Sequence, residues 1–235
     1  MFTLATAGVL SLVGCSSEQP VQGNPPRNVS ESPDVTVSPD LGLTSIDGQV
    51  IGGGDYPGYT AKVPGTWSVN GSFVIGPGPG VLGLSVWDVG EVPRDPCHWQ
   101  KSLYDPGPTV DDLVEALTTQ RLRHATEPTD VTLGGYRGRY VEWSVPTDMV
   151  VTGDSEFQGC DVEPSNGLRD FVSWFGNGDG ERYQQVAGQV DMLWILDVDG
   201  QRLLVDATYS PDTTETDRAV LGGIVESLRF TDQAP

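Results

Sequence analysis

The sequence predicts an α+β fold in which an antiparallel β-sheet is packed by two main α-helices. The chain has 235 residues with 30 glycines and 18 prolines, and Val, Thr and Trp are frequent in its patterned regions. That composition favours strands joined by many turns. The β-rich runs 192–198 and 201–209 are joined by Asp199-Gly200, a pair typical of a hairpin with a type I′ turn. Two amphipathic segments with helix-start residues, at Thr109 and near Ser210, supply the helices.

The first strands of the folded domain lie between Tyr59 and residue 89. Segment 59–63 alternates apolar and polar residues and stops at the turn pair Pro64-Gly65. We expect further strands at 67–75 and 82–89, on either side of the glycine- and proline-rich segment 76–80. This segment does not fit a phosphate-binding loop, because its prolines lack the N–H donors that a phosphate requires and no Gly-Lys-Ser/Thr follows.

The first helix is expected to begin after Thr109, whose side chain can cap it. Asp112 stands near the capping-box position, and acidic residues in the first turn suit the positive end of the helix dipole. One face carries an apolar stripe that we assign to the core, formed by Val110, Leu113, Val114 and Leu117. Arg121 and Arg123 follow at the end of the helix that favours cations.

Two more hairpins are expected in the second half of the domain. One joins 131–133 to 137–145 through Gly134-Gly135, and the other joins 170–175 to 182–187 through 176–180. Between them, segment 146–168 is polar and longer than most structureless loops, so we expect it to be pinned or functional.

The second helix is expected to start at Ser210-Pro211-Asp212. The apolar residues on its buried side are Val220, Leu221, Ile224, Val225 and Leu228. Gly222 and Gly223 each lower helix propensity by about 1 kcal/mol relative to Ala, which suggests that they allow close packing on the sheet. A short segment at 228–230 then closes the domain.

The chain is strongly acidic. It has 33 Asp and Glu against 13 Lys and Arg, which gives a net charge of −20, and its lysines are Lys62 and Lys101. Nucleic acid and anionic lipid headgroups are therefore not expected partners, because phosphate contacts need clustered basic residues. We interpret the acidity as a background property that keeps the domain soluble; a recruited cation or a basic partner is the alternative.

The first residues resemble a bacterial lipoprotein signal. Segment 2–13 is an apolar run of signal-peptide length, too short to span a bilayer as a helix. It ends in Leu12-Val13-Gly14-Cys15, which resembles a lipobox, in which the cysteine is lipidated and becomes the mature N-terminus. The resemblance implies a lipoprotein signal peptide at 1–14. It also implies durable anchoring to the outer face of the cell membrane through more than one acyl chain, such as palmitate, on Cys15.

The start of the chain and the nature of segment 2–13 each have an alternative interpretation. No Lys or Arg precedes the apolar run, although signal peptides begin with a basic region, so it is open whether Met1 is the true start. The alternative to a signal peptide is a buried N-terminal strand or helix of a soluble domain.

Segment 15–58 is expected to be a lipid-anchored, disordered linker. It is rich in Pro, Ser, Asn, Gly and acidic residues, a composition that cannot bury enough apolar area to offset the entropy of ordering. Within it, 49–51 has strand character and is a candidate early edge strand. We expect a single α+β domain at 59–231, a tail at 232–235 and a monomeric protein.

The three cysteines agree with an extracytoplasmic location. If Cys15 carries lipid, Cys97 and Cys160 remain, and an even pair in an oxidising compartment predicts a disulfide. Free thiols and a metal site are the alternatives. A metal site would need further ligands, and the histidines, His98 and His124, do not give a zinc spacing. We expect neither a metal nor a cofactor.

The sequence does not predict an enzyme. No Gly-x-Ser-x-Gly motif is present, and His124 is expected to be a solvated residue at a helix end. The candidate binding residues near the expected disulfide are Trp87, His98, Trp99 and Tyr104, because Trp and Tyr are favoured at interfaces. The tryptophans also have a structural interpretation as core residues.

Three segments of the domain resemble the PsbP-like family. They are 63–67 (Val-Pro-Gly-Thr-Trp), 198–205 (Val-Asp-Gly, then Leu203 and Val205) and 224–230 (Ile-Val-Glu-Ser-Leu-Arg-Phe). The chain looks similar to actinobacterial envelope lipoproteins with such a domain. The resemblance covers about 59–230 and implies an antiparallel sheet packed by helices. The photosystem role of PsbP proteins is not implied, because the residues that support it have no match here.

The function expected from the sequence is therefore binding or scaffolding by a lipid-anchored extracytoplasmic protein, with an envelope protein or a small ligand as partner. The alternative is a cell-envelope hydrolase or other enzyme with His98 in its site.

Overall fold

The computed structural model describes residues 44–45, 51, 57–78, 80–153, 155–178 and 180–231. All of them belong to one compact unit, 34–235. Cys15, the lipobox and most of the expected linker lie outside the described residues, so the expectations for them stay predictions.

The strands before the first α-helix are β1 Thr44–Ser45, β2 Tyr59–Thr60, β3 Lys62–Val63, β4 Ser68–Asn70, β5 Phe73–Ile75, β6 Leu82–Trp87, β7 Val89–Pro93 and β8 Leu103–Tyr104. A 3-10 helix, Pro96–Lys101, lies between β7 and β8, and α1 covers Val110–Thr118. The strands between the α-helices are β9 His124–Ala125, β10 Thr129–Leu133, β11 Tyr136–Ser144, β12 Val151–Thr152, β13 Glu156–Phe157, β14 Val172–Gly176, β15 Glu181–Tyr183, β16 Val190–Val198 and β17 Gln201–Tyr209. Helix α2, Glu215–Ser227, is followed by β18 Arg229–Phe230.

The main sheet is antiparallel and has the order β10-β11-β16-β17-β6-β5-β4, with β9 also paired to β11. A second antiparallel sheet has the order β15-β14-β7-β8. Short ladders join β1 to β3, β12 to β13 and β2 to β18. Antiparallel sheets packed by helices confirm the expected α+β class.

The two faces of the main sheet are covered differently because successive strand residues point to opposite sides. On β17, Val205 packs in the cluster that includes the buried residues of α2, whereas Leu204 packs in the cluster that includes those of α1. The second sheet lies on the α1 side, where Trp87 of β6 meets Trp174 of β14 edge-on with ring centroids 5.9 Å apart. None of the described helices has both the length and the apolar character that a membrane span requires.

The strongest expectations for local structure are confirmed. Strands β16 and β17 form a hairpin across Asp199 and Gly200, whose φ angles of 53° and 89° are those of the predicted turn. Helix α1 starts after Thr109, which accepts a hydrogen bond from the Asp112 N–H at 3.1 Å while the Asp112 carboxylate accepts one from the Thr109 N–H at 2.9 Å. The hydroxyl of Thr109 and then its main-chain N–H lower the pKa of the Asp112 carboxyl.

Two expected strands differ in the structure. Segment 67–75 is a hairpin of β4 and β5, not one strand, because the chain reverses at Gly71, where φ is 60°. Segment 82–89 divides at Asp88, where the chain passes from the main sheet to the second one and the Asp88 carbonyl accepts the N–H of Asn177 at 2.8 Å.

Helix α2 begins later than expected. Its N-cap is Thr214, and the Ser210-Pro211-Asp212 segment instead forms a turn. There the Ser210 hydroxyl donates to the Asp212 carboxylate at 2.6 Å, and the Thr213 N–H donates to the Ser210 carbonyl at 3.0 Å.

Parts of the segment expected to be a linker pair with the domain. Strand β1 pairs with β3, and Ile51 pairs with Tyr59 through two main-chain hydrogen bonds of 2.7 and 2.9 Å. The Ile51 side chain is buried in the cluster on the α2 side of the main sheet.

The expected Cys97–Cys160 disulfide is formed. It joins the 3-10 helix to the 146–168 segment, and the Asp161 N–H donates to the Cys97 carbonyl at 2.8 Å beside it. Both cysteines are buried in a small cluster with Phe157 and Phe171. The long polar segment is therefore pinned, as its length suggested.

Candidate functional site

A groove of about 240 Å³ lies on the main sheet at β5 and β6, beside the edge strand β15. The residues that define it are Phe73, Ile75, Ser85, Trp87, Arg182 and Tyr183. The two parts come from different sheets, so the groove is built by the packing of the second sheet on the main one.

The rim of the groove is apolar and exposed. Phe73, Ile75 and Tyr183 are 39%, 43% and 41% exposed, and they make up half of the exposed large apolar side chains among the described residues. On β5 the alternation of the strand turns Phe73 and Ile75 to the groove, while Val74 is buried on the opposite face. Exposed apolar side chains that gather at one concave place are typical of a binding surface.

An ion-pair network lies at the base of the groove. The Arg182 guanidinium donates from Nε to Asp206 Oδ2 at 2.6 Å and from Nη2 to Asp191 Oδ1 at 2.9 Å. The side chains of both aspartates are 0% exposed and that of Arg182 is 9% exposed. Trp143 Nε1 donates to the second oxygen of Asp191 at 2.8 Å. A buried charge needs this kind of pairing, because water cannot compensate it.

Asp206 is the least satisfied member of the network. Its Oδ1 atom is buried and has no hydrogen-bond partner. Burial raises its pKa to about 7, although Arg182 acts in the opposite direction. Its partner residue across the strands β17 and β6 is Ser85, and cross-strand neighbours have Cβ atoms about 4.5–5.5 Å apart. The carboxyl group therefore lies close behind the groove surface.

A second buried guanidinium belongs to Arg123. It lies over the rings of Trp143 and Phe171, at 4.1 and 4.7 Å from their centroids, and donates to the Ser173 hydroxyl at 2.5 Å. Burial lowers its pKa to about 9, which still leaves the group charged at neutral pH. Arg123 does not line the groove; it balances the charge of the two buried aspartates from inside the fold.

The structure does not bring the expected binding residues together at the groove. Trp87 lines it, with its Nε1 donating to the Ser85 hydroxyl at 2.7 Å, but His98, Trp99 and Tyr104 do not. Trp99 is buried against Phe175, with ring centroids 5.5 Å apart. The ring of Tyr104 lies under Arg94 at 3.9 Å.

His98 lies on the surface of the 3-10 helix, where its side chain is 61% exposed and Nδ1 is 3.5 Å from the Asp95 carboxylate. The nearby Ser102 hydroxyl donates to the main-chain carbonyls of Asp95 and His98, not to the imidazole. Asp95 also caps the 3-10 helix and pairs with Arg121 at 3.0 Å. These contacts fix a helix end and do not activate a nucleophile. Among the described residues, no group of three or more His, Cys, Asp or Glu could hold a metal ion.

Only weak signals for the groove residues are present in the sequence. Asp206 interrupts the apolar run 203–207, and a lone charge inside a buried strand predicts a buried partner. Nothing in the sequence pattern identified that partner as Arg182, which lies in a short, otherwise polar segment.

The chain is similar to solved structures of known proteins only at a low level. No protein-family model and no curated protein matches the chain. A solved structure, the solution structure of cyanobacterial PsbP (CyanoP) from Synechocystis sp. PCC 6803, is similar over 74% of this chain and 86% of that one, with 16% identity and a TM-score of 0.34. A likeness at this level carries no argument about activity or family.

Proposed function

We propose that this protein is an extracytoplasmic lipoprotein that is anchored to the outer face of the cell membrane through Cys15. In this proposal its PsbP-like α+β domain binds a small ligand in the groove between β5, β6 and β15. The observation that carries the binding function is the groove itself, with three exposed apolar side chains around a buried, charged base. Concave, largely apolar sites with a few fixed polar groups are typical of ligand binding.

The proposed location at the outer face of the cell membrane is supported by features outside and inside the domain. The lipobox-like Leu12-Val13-Gly14-Cys15 and the proline-rich segment after it are typical of an anchored protein with a linker. The disulfide between Cys97 and Cys160 is typical of an oxidising compartment. Mass spectrometry of the N-terminal peptide from the membrane fraction tests the anchor; an unprocessed chain with unmodified Cys15 would contradict it.

The binding function is tested with a photo-crosslinking amino acid in the full-length protein in intact cells. We place it at Tyr183 on the groove rim, and at Val150, which is 60% exposed and does not line the groove, as the matched control. The expected result is a discrete adduct mass from position 183 that is lost when Phe73→Ala is added. Equal adducts from both positions, or none from position 183, would overturn the groove as a binding site.

A further inference from the structure

The charges beneath the groove are balanced within the fold, because Arg182 and Arg123 oppose Asp191 and Asp206. Arg182 donates to both buried aspartates and also to the Tyr183 carbonyl, at 2.5 Å. Its charge is therefore matched within the fold. Glu181 lines the groove and adds a further acidic group. An anionic ligand would meet Glu181 and an arginine that is already engaged, whereas a cation would be attracted to the Glu181 carboxylate.

The aromatic and apolar walls of the groove suit the apolar part of a cationic ligand. Phe73 meets Trp87 edge-on, with ring centroids 5.6 Å apart, and Tyr183 is on the opposite strand of the groove. Aromatic rings attract cations through their faces, and together with Ile75 they offer apolar contact to an aliphatic chain. The volume of about 240 Å³ is below the roughly 300–1,000 Å³ of pockets for drug-sized molecules, so the chain must be short.

We propose that the groove binds an amphipathic cation, a short aliphatic chain with one terminal positive charge. The chain lies against Phe73, Ile75 and Tyr183, and the charge lies beside Glu181 and Ser85. This assignment of ligand chemistry rests on the proposed function of the groove as a binding site. The same chemistry occurs in free alkylamines and in the lysine side chain of a peptide.

Calorimetric titration of the full-length protein tests the charge preference. The probes are hexylammonium chloride, hexanol and sodium hexanoate at one ionic strength, so that the chain stays similar and the charge changes. A cation–aromatic contact implies that hexylammonium binds about tenfold more tightly than hexanol, and hexanoate should bind most weakly. Nα-acetyl-lysine amide is a fourth probe: affinity at or above that of hexylammonium identifies a lysine side chain as the source, and weaker binding identifies a free amine.

Variants assign the binding to the groove. Glu181→Gln and Phe73→Ala should each weaken hexylammonium binding several-fold, whereas Glu115→Gln on the exposed face of α1 and Val150→Ala should leave it unchanged. All four are at half-buried or exposed positions, so the fold should survive them.

The outcomes separate this inference from the proposed function. Equal binding of hexanol and hexylammonium, or tighter binding of hexanoate, overturns the cationic ligand while a groove-dependent signal upholds the binding site. If no probe binds but position 183 still gives its specific adduct, the cation inference alone is wrong. If both signals are absent, both proposals are wrong.

Discussion

Replacing Arg182 with methionine tests the ion-pair network beneath the groove. The guanidinium is the shared partner of Asp206, at 2.6 Å, and Asp191, at 2.9 Å, and neither carboxylate side chain has any exposed surface. Methionine keeps an unbranched stem but removes the charge, so two buried carboxylates lose that partner. Removing one side of a buried pair costs about 3–5 kcal/mol, which is a large part of the roughly 5–15 kcal/mol that stabilises a typical domain.

The loss of stability in Arg182→Met should depend on pH, and the pKa of Asp206 determines the direction of that dependence. Burial raises the pKa of Asp206 to about 7 and Arg182 opposes that rise, so without the guanidinium the pKa climbs further. A carboxyl with a raised pKa in the folded state contributes stability that is full below its unfolded pKa, about 3.9, and is lost as pH rises through the folded value. In Arg182→Met the stability that Asp206 contributes continues to fall up to a higher pH than in the wild type. The difference in free energy of unfolding should therefore be larger at pH 8 than at pH 5.

Urea unfolding followed by circular dichroism at both pH values measures the effect. Arg139→Met is the matched control, because Arg139 also bridges two aspartates, Asp111 and Asp130, but their side chains are 80% and 92% exposed. Exposed pairs contribute little, so this variant should unfold like the wild type. A loss of less than about 1 kcal/mol for Arg182→Met at pH 8, the range of a surface pair, or an equal loss at both pH values would refute this role of Arg182.

Three further changes test other parts of the fold. Replacing both Cys97 and Cys160 with serine should lower the free energy of unfolding by about 4 kcal/mol, the chain-entropy value for a separation of 63 residues; a denaturation midpoint equal to that of the wild type would contradict it. Thr109→Ala removes the cap of α1 and should cost about 1 kcal/mol, measured as a lower thermal midpoint; no shift would mean that the cap is unimportant. Gly138→Ala places a Cβ 1.9 Å from a main-chain oxygen of β16 and should cost about 1–3 kcal/mol in urea unfolding. Gly65→Ala, with nothing within 4 Å of its Cβ, is the control for it, and equal effects would refute the clash.

Local sequence rules predicted the elements whose cause is local. The Asp199-Gly200 turn and the Thr109 cap each depend on residues within four positions of one another, and both are found where expected. The prediction of a single strand at 67–75 was wrong, and the cause is also local. Gly71 and Ser72 form a two-residue turn with glycine at its first position, and the apolar character of the flanking residues concealed it.

The groove could not be predicted in the same way, because it depends on which sheets pack together. Arg182 and Asp206 are 24 positions apart and meet only when the second sheet lies on the main one. Phe73 and Tyr183 belong to different sheets and are further apart in sequence. Hydrophobic patterning shows which residues are buried but not which distant partner each one meets.

The pairing of β2 with β18 brings the last described residues beside the segment at 58–60. The two strands lie side by side, and the N–H of Thr231 donates to the Gly58 carbonyl at 2.9 Å. For a domain held from its N-terminal side, as we propose, a polypeptide fused after 231 would emerge beside the tether. A fluorescent reporter fused there would therefore report the environment nearest the membrane attachment.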